Sequence, residues 1–367
     1  MVDIRLQRLA NLLTNYSARV QPGEWVGITG DVCALPALRE VYQAVLRAGG
    51  NPSLIVTDDY LTRLFLGAAN DDQLTWVDPN RKLIVGQADA FIRIAGVPNT
   101  RAKTSIDPKR VQRHQSGQRE VLHDFLERGA SDELKSVVTM YPTEGWAQEA
   151  NMSLEEYEDF VYAAYFCNKD DPAAAWQKLG AMQQEKIDWL KGKKQVEIKG
   201  PNIELELSIA DRTFINDDGR SSICAGEIFT GPVEDSVNGW VRFDFPSIAR
   251  GRAITGIELR FDDGKVVEAR AAENEEILLA QLDTDEGARY LGEFAIGTNY
   301  KIKHRTGQVL FDEKIGGTIH VALGTGYPDT GSKNRSAIHW DLICDLRKGG
   351  EIHVDGALFH KDGEFVV

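Results

Sequence analysis

A chain of 367 residues, 42% of them apolar, holds enough material for two packed domains and is too apolar for wholesale disorder. A formal net charge of −14 argues against a nucleic-acid partner, because neutralising phosphates needs a basic face and none stands out. No stretch approaches the roughly 18 consecutive apolar residues of a membrane span. The start, MVDIRLQRLANLLTNYSARV, mixes charges into its apolar pattern where a secretory signal needs an unbroken one. A soluble cytoplasmic protein with no membrane partner is expected. Cys33, Cys167, Cys224 and Cys344 are far apart and form no CxxC pair, so free thiols are expected.

Along the chain, a helical pattern from Ile4 to Val20 leads through QPGE to a short strand, WVGITGD. A helix in LPALREVYQAVLRAGG, a strand in PSLIVTDD, further helix, the strand AFIRIAG, a long amphipathic helix in KRVQRHQSGQREVLHDFLERG and the strand of KSVVTMYP follow. Short apolar strands separated by helices predict a parallel, Rossmann-like sheet in an N-terminal α/β domain over residues 1–140. GITGD is no dinucleotide fingerprint, since the GxGxxG spacing is absent after the first strand. From Met152 to Lys194 the chain reads helical, opening on Ser153-Leu154-Glu155-Glu156 in capping-box form. KQVEIKGPNIELELSIADRTF then alternates with period two, as half-buried antiparallel strands do. Gly-rich turns and more strands run to the C-terminus, with one helix expected around DTDEGARYLGEFA. Residues 141–367 are therefore expected to form an α+β domain with a mixed or antiparallel, barrel-like sheet.

Five of the seven histidines lie between His304 and the C-terminus, two of them inside strand-like runs. In SAIHWDLI, strand alternation puts His339 and Asp341 on one face and Ile338, Trp340 and Leu342 on the other. In TIHVALG, His320 shares its face with Thr318 and Ala322, whose small side chains leave room beside it. Two strand-borne imidazoles and a carboxylate suit a divalent ion of the zinc or cobalt type.

GEIFTGP, LDTDEGARYLGEFAIGTN and LFDEKIGGTIHVALGTGYPDTGSKNRSAIHWD, preceded by GWAQEANMSLEEYEDFVY and DPAAAWQKL, together resemble the thermophilic metalloprotease family. The likeness runs in the family's order from Gly145 to the C-terminus. It implies an aminopeptidase of the aminopeptidase T and S type, acting on small peptides with two divalent ions (zinc, cobalt or manganese) and packed as a homodimer. Carried over position by position, the metal ligands are Glu227, Glu293, Glu313, His320, His339 and Asp341. Tyr327 of GTGYP is the catalytic tyrosine, and Glu227 or Glu293 shuttles the proton. Four carboxylates and two imidazoles exceed the three protein ligands of one catalytic zinc and fit two ions sharing a bridging carboxylate, which the resemblance makes Glu293. The chain departs from the family in SSICAGE, where members often carry a proline, and in the spacing from Glu313 to His320, which differs from that of some members. Two rival readings are a metal-dependent amidohydrolase acting on a non-peptide amide and a non-catalytic ligand-binding protein.

Overall fold

The computed structural model describes residues 3–249 and 252–367. The chain divides into two compact units, Met1–Trp176 with Gly219–Cys224, and Gln177–Asp218 with Ala225–Val367.

In the first unit four apolar runs form a parallel sheet: β1 (Trp25–Asp31), β2 (Asn51–Thr57), β3 (Ala90–Ala95) and β4 (Lys135–Met140), in the order β2-β1-β3-β4. Parallel neighbours need crossovers, and helices supply them, among them Leu35–Arg47 between β1 and β2 and Pro79–Gln87 before β3. The long helix expected before β4 is two, Pro108–Gly117 and Arg119–Ala130. Gly117 lies so close to the backbone of Thr75 that a Cβ there would stand 2.6 Å from its Cα, and the chain leaves the helical conformation at Gln118 (φ −91°, ψ 0°). The capping box forms as its sequence predicts: Glu156 N–H donates to Ser153 Oγ at 3.2 Å, and Ser153 N–H donates to Glu156 Oε2 at 2.9 Å. The first unit extends past the boundary expected after residue 140. Tyr165 donates its hydroxyl to the Met140 carbonyl at 3.2 Å, and Ser222 bridges Val138 of β4.

The second unit is antiparallel. β5 (Gln195–Gly200), β6 (Ile203–Ser208), β9 (Asn238–Arg242), β12 (Glu258–Asp262), β13 (Lys265–Arg270), β17 (Glu351–Val354), β18 (Ala357–Lys361) and β19 (Glu364–Phe365) form one sheet in the order β13-β12-β9-β6-β5-β17-β18-β19. β7 (Ile215–Asp217), β8 (Glu227–Thr230), β14 (Leu291–Gly297), β15 (Thr318–Gly324) and β16 (His339–Asp345) form a second, in the order β16-β15-β14-β8-β7. A short pair, β10 (Ser247–Ala249) with β11 (Arg252–Ile254), stands apart from both. One apolar core joins the two larger sheets: Val196, Ile198, Leu205 and Phe359 from the first meet Ile228, Phe294, Ile296, Ile319, Val321 and Leu342 from the second. Burial of so many aliphatic side chains is the main favourable term holding the unit together.

The helix expected over DTDEGARYLGEFA does not form. A helix ends at Leu282, a single 3-10 turn spans Glu286–Arg289, and β14 begins at Leu291. Asp285 explains the change. Its carboxylate accepts from Ala288 N–H at 3.0 Å, Ser336 Oγ at 2.7 Å and Ala337 N–H at 2.6 Å, tying the turn to a distant loop that no local helical pattern reflects.

Candidate metal centre

Strand register builds the site. Across the five-stranded sheet, Gly297 pairs with Glu227, Ala295 with His320, Glu293 and Asp341 with Ala322, and His339 with Gly324. Paired residues in a ladder share a face. One face therefore carries Glu227, Glu293, His320, His339 and Asp341 over a floor of Ala295, Gly297, Ala322 and Gly324. The alternate residues Ile228, Phe294, Ile319, Val321, Trp340 and Leu342 point into the core. The core fixes the strands, and the small floor residues leave a cup for the polar side chains.

Glu293 reaches this face only because of a β-bulge. Leu291 pairs with Leu323 and Glu293 with Ala322, so Gly292 is an extra residue in β14. Without it, Glu293 and Leu291 would share the core face; the bulge turns the carboxylate over. Gly292 is required there, since a Cβ would stand 2.4 Å from the carbonyl oxygen of Gly324.

Within the cup, His339 Nε2 lies 3.2 Å from Glu293 Oε2 and 3.4 Å from Asp341 Oδ1. His320 Nε2 lies 3.5 Å from Glu293 Oε1 and 3.8 Å from Asp341 Oδ1. Both rings are oriented from behind. His339 Nδ1–H donates to the Thr325 carbonyl at 2.8 Å and His320 Nδ1–H to the Glu313 carbonyl at 3.3 Å, which turns each Nε2 toward the carboxylates. Potential ligand atoms of Glu227, Glu293 and His320 lie within 4.8 Å of one another, as do those of Glu293, His339 and Asp341, and of Glu313, His320 and Asp341.

The electrostatics are those of a cage built for cations. Burial opposes charge on His320 and His339, yet the surrounding carboxylates win and raise them to about 10 and about 11. Burial likewise pushes Glu293 up, but hydrogen bonds and charge from the two imidazoles outweigh it and hold Glu293 down at about 2. Glu227, fully enclosed, is carried by burial to about 8 despite Lys314 and His320 beside it. Its Oε2 is buried with no hydrogen-bond partner, 3.6 Å from His320 Nδ1. A buried, unpaired carboxylate oxygen is costly unless a cation meets it. The donor set of Glu293, His320, His339 and Asp341 fits a divalent ion, and the orphan oxygen lies within reach of the positive charge such a site gathers.

All six residues expected as ligands come together, although Glu293 stands on a strand and Glu313 just past the short helix Val309–Asp312. Tyr327 lies at the rim, 47% exposed, its ring centroid 5.2 Å from that of His339 and 5.3 Å from that of Phe229. Cys224 packs in the first unit, where its thiol meets the Tyr165 hydroxyl at 3.1 Å. Two residues of the site escaped the sequence reading. Lys314 places its ammonium 2.5 Å from Glu227 Oε1 and 2.8 Å from Glu313 Oε1, and Asp217 stands 3.8 Å from it. The one local signal was the lysine directly following Glu313. Asp217 joins through its register with Glu227, which sequence spacing does not reveal.

A buried cluster of carboxylates and imidazoles on one face of an antiparallel sheet, in a chain that also carries a parallel α/β unit, defines a metal-dependent protein of two-unit architecture. The chain matches the description thermophilic metalloprotease (M29) over residues 2–365 and belongs to that family. It is 27% identical to aminopeptidase 2 of Geobacillus stearothermophilus and 27% identical to aminopeptidase T of Thermus thermophilus, each comparison covering 98% of this chain and 95% of the relative. The solved structure of wild-type AmpT from Thermus thermophilus shares the fold, with a TM-score of 0.87 at 24% identity over 99% of both chains. Among the described residues no helix is long and apolar enough to cross a membrane.

Proposed function

We propose that this protein is a metal-dependent aminopeptidase that releases N-terminal residues from small peptides at the cup formed by β8, β14, β15 and β16. The observation that carries the reading is the convergence of Glu293, His320, His339 and Asp341, two Nε2 atoms facing two carboxylates at 3.2–3.8 Å. The aminopeptidase names of the relatives, each aligned over nearly its whole length, support the substrate class.

These four residues would hold a divalent ion, with Glu227 and Glu313 beside them as the remaining members of the expected set. Two imidazoles among carboxylates suit zinc, cobalt or manganese. Bound there, a divalent ion supplies Lewis acidity, lowering the pKa of a water from 15.7 toward about 7 and polarising a carbonyl. The chain's own residues do the rest. Glu227 is the proton carrier: its Oε2 is buried, free of hydrogen bonds and turned toward His320. Burial raises this carboxyl well above the usual carboxylate range, which suits a group that takes up and returns a proton. Glu293, held ionised between the two imidazoles, fixes both rings toward the centre of the cup. Tyr327 stands at the open edge against His339, where its hydroxyl is available to donate to the oxyanion of a tetrahedral intermediate. Partial burial of the ring, with Glu293 and Asp341 nearby, raises that phenol from its ordinary range and favours its protonated, donating form.

The test is release of free amino acid from a short peptide and from its N-acetylated twin by chelator-stripped protein titrated with cobalt or zinc. The proposal expects metal-dependent release from the free peptide alone. Cleavage of both peptides, or of neither at any metal concentration, contradicts it.

A further inference from the structure

The expected six-ligand set comes together in this chain, but a lysine is built in among two of its members. Four members, Glu293, His320, His339 and Asp341, face one another. The other two, Glu227 and Glu313, each give an oxygen to Lys314, whose Nζ stands 2.5 Å from Glu227 Oε1 and 2.8 Å from Glu313 Oε1. Asp217 Oδ2 completes the surround at 3.8 Å.

We infer that the ammonium of Lys314 is a built-in cation standing where a second metal ion would have to bind, so that the protein holds one divalent ion per chain, at Glu293, His320, His339 and Asp341. This rests on the metal site proposed above and fixes its stoichiometry. The ligand atoms of Glu227, Glu293 and His320 lie within 4.8 Å of one another, but an ion taken up there would share the Glu227 carboxylate with the ammonium 2.5 Å from its Oε1 and would meet that like charge as a close neighbour.

Lys314 is not placed to withdraw. Its side chain is 8% exposed. Its backbone N–H donates to the Phe311 carbonyl at 3.1 Å, and its own carbonyl accepts from Asn299 N–H at 3.0 Å. On the far side, Gly297 of β14 packs so tightly that a Cβ there would stand 2.1 Å from the carbonyl oxygen of Ile315. Moving the ammonium out would also take away the partner of the buried Glu227, Glu313 and Asp217 oxygens, which is strongly unfavourable. Chemically, an ammonium donates hydrogen bonds and neutralises charge but is no Lewis acid. All Lewis acidity then comes from the single ion, and Lys314 keeps Glu227 in place, leaving Oε2 turned to His320. Lys314 is thus a positioning residue.

The experiment is equilibrium dialysis of chelator-stripped protein against Co²⁺ and, separately, Mn²⁺, with bound metal per chain read by elemental analysis. Four proteins are compared: the wild-type chain, Lys314→Ala, Lys314→Met and Glu227→Gln. The inference expects one ion in the wild-type chain, one in Glu227→Gln, and two in the lysine variants. Two ions in the wild-type chain overturn it while leaving the proposed metal site standing. One ion in folded lysine variants also overturns it, because the lysine is then not what excludes the second. Loss of the ion in Glu227→Gln overturns it as well, by making Glu227 a ligand of the first. No ion in the wild-type chain removes the metal site itself, and the inference with it. Should the lysine variants fail to fold, the wild-type and Glu227→Gln counts decide.

Discussion

His360 offers a quantitative test of the packing in the second unit. It sits on β18, fully buried, paired with Ile352 and Phe365, its ring centroid 5.2 Å from that of Phe365. Burial disfavours the imidazolium and drives the pKa down to about 4, against weaker upward pulls from the Gly363 backbone and Asp362. The unfolded chain titrates this residue near 6.5. As pH falls through 6.5, the unfolded chain takes up a proton that the folded chain refuses, so stability is present above 6.5 and is lost progressively toward 4. At 1.36 kcal/mol per pH unit the gap between about 4 and 6.5 corresponds to about 3 kcal/mol, spread over that window. His360→Leu keeps a side chain of similar bulk and removes the titration. Urea unfolding of both proteins at half-unit pH intervals from 7.5 to 4 separates this residue from the carboxylates, which titrate alike in both. The wild-type protein should lose about 3 kcal/mol more than the variant over that range. Parallel stability curves would refute the burial argument.

Three further outcomes follow from the site and its frame. Tyr327→Phe should lower kcat about 100-fold or more with metal content unchanged, the cost of losing one oxyanion donor; unaltered turnover removes the tyrosine from the chemistry. Gly292→Ala should abolish high-affinity metal binding and lower the melting temperature, since the added Cβ would stand 2.4 Å from Gly324 O and force out the bulge that aims Glu293; retained binding in calorimetry argues that the bulge is dispensable. Ser153→Ala should cost about 1 kcal/mol in urea unfolding through the lost cap at Glu156 N–H, and no measurable change would make that hydrogen bond energetically idle.

Much of this architecture is legible in the residues. Short apolar runs divided by helical stretches mark the parallel sheet, and period-two alternation in VEIKGPNIELELS marks β5 and β6, because burial on one face leaves a direct imprint. The pairing of His339 with Asp341 is readable for the same reason. What stayed hidden depends on register and on distant contacts. Glu293 reads as helical because DEGARYLGEF carries helix formers, and only the ties of Asp285 to Ser336 and Ala337, with the bulge at Gly292, make it a strand residue facing the cup. Lys314 lies beside Glu313 in the chain, but that it turns inward toward Glu227 follows from the cross-strand arrangement of β8, β14 and β15. The helices after residue 140 pack with the first unit through contacts such as Tyr165 to Met140, which no composition shift announces.

On the proposed mechanism, one cluster on the five-stranded sheet holds the ion that does the chemistry. Crystals of cobalt-loaded protein, measured on both sides of the cobalt absorption edge, test it most directly through the anomalous difference map. A strong peak is expected, bounded by Glu293, His320 Nε2, His339 Nε2 and Asp341. A peak elsewhere, or none in that cup from protein that cleaves peptides with cobalt, would contradict it.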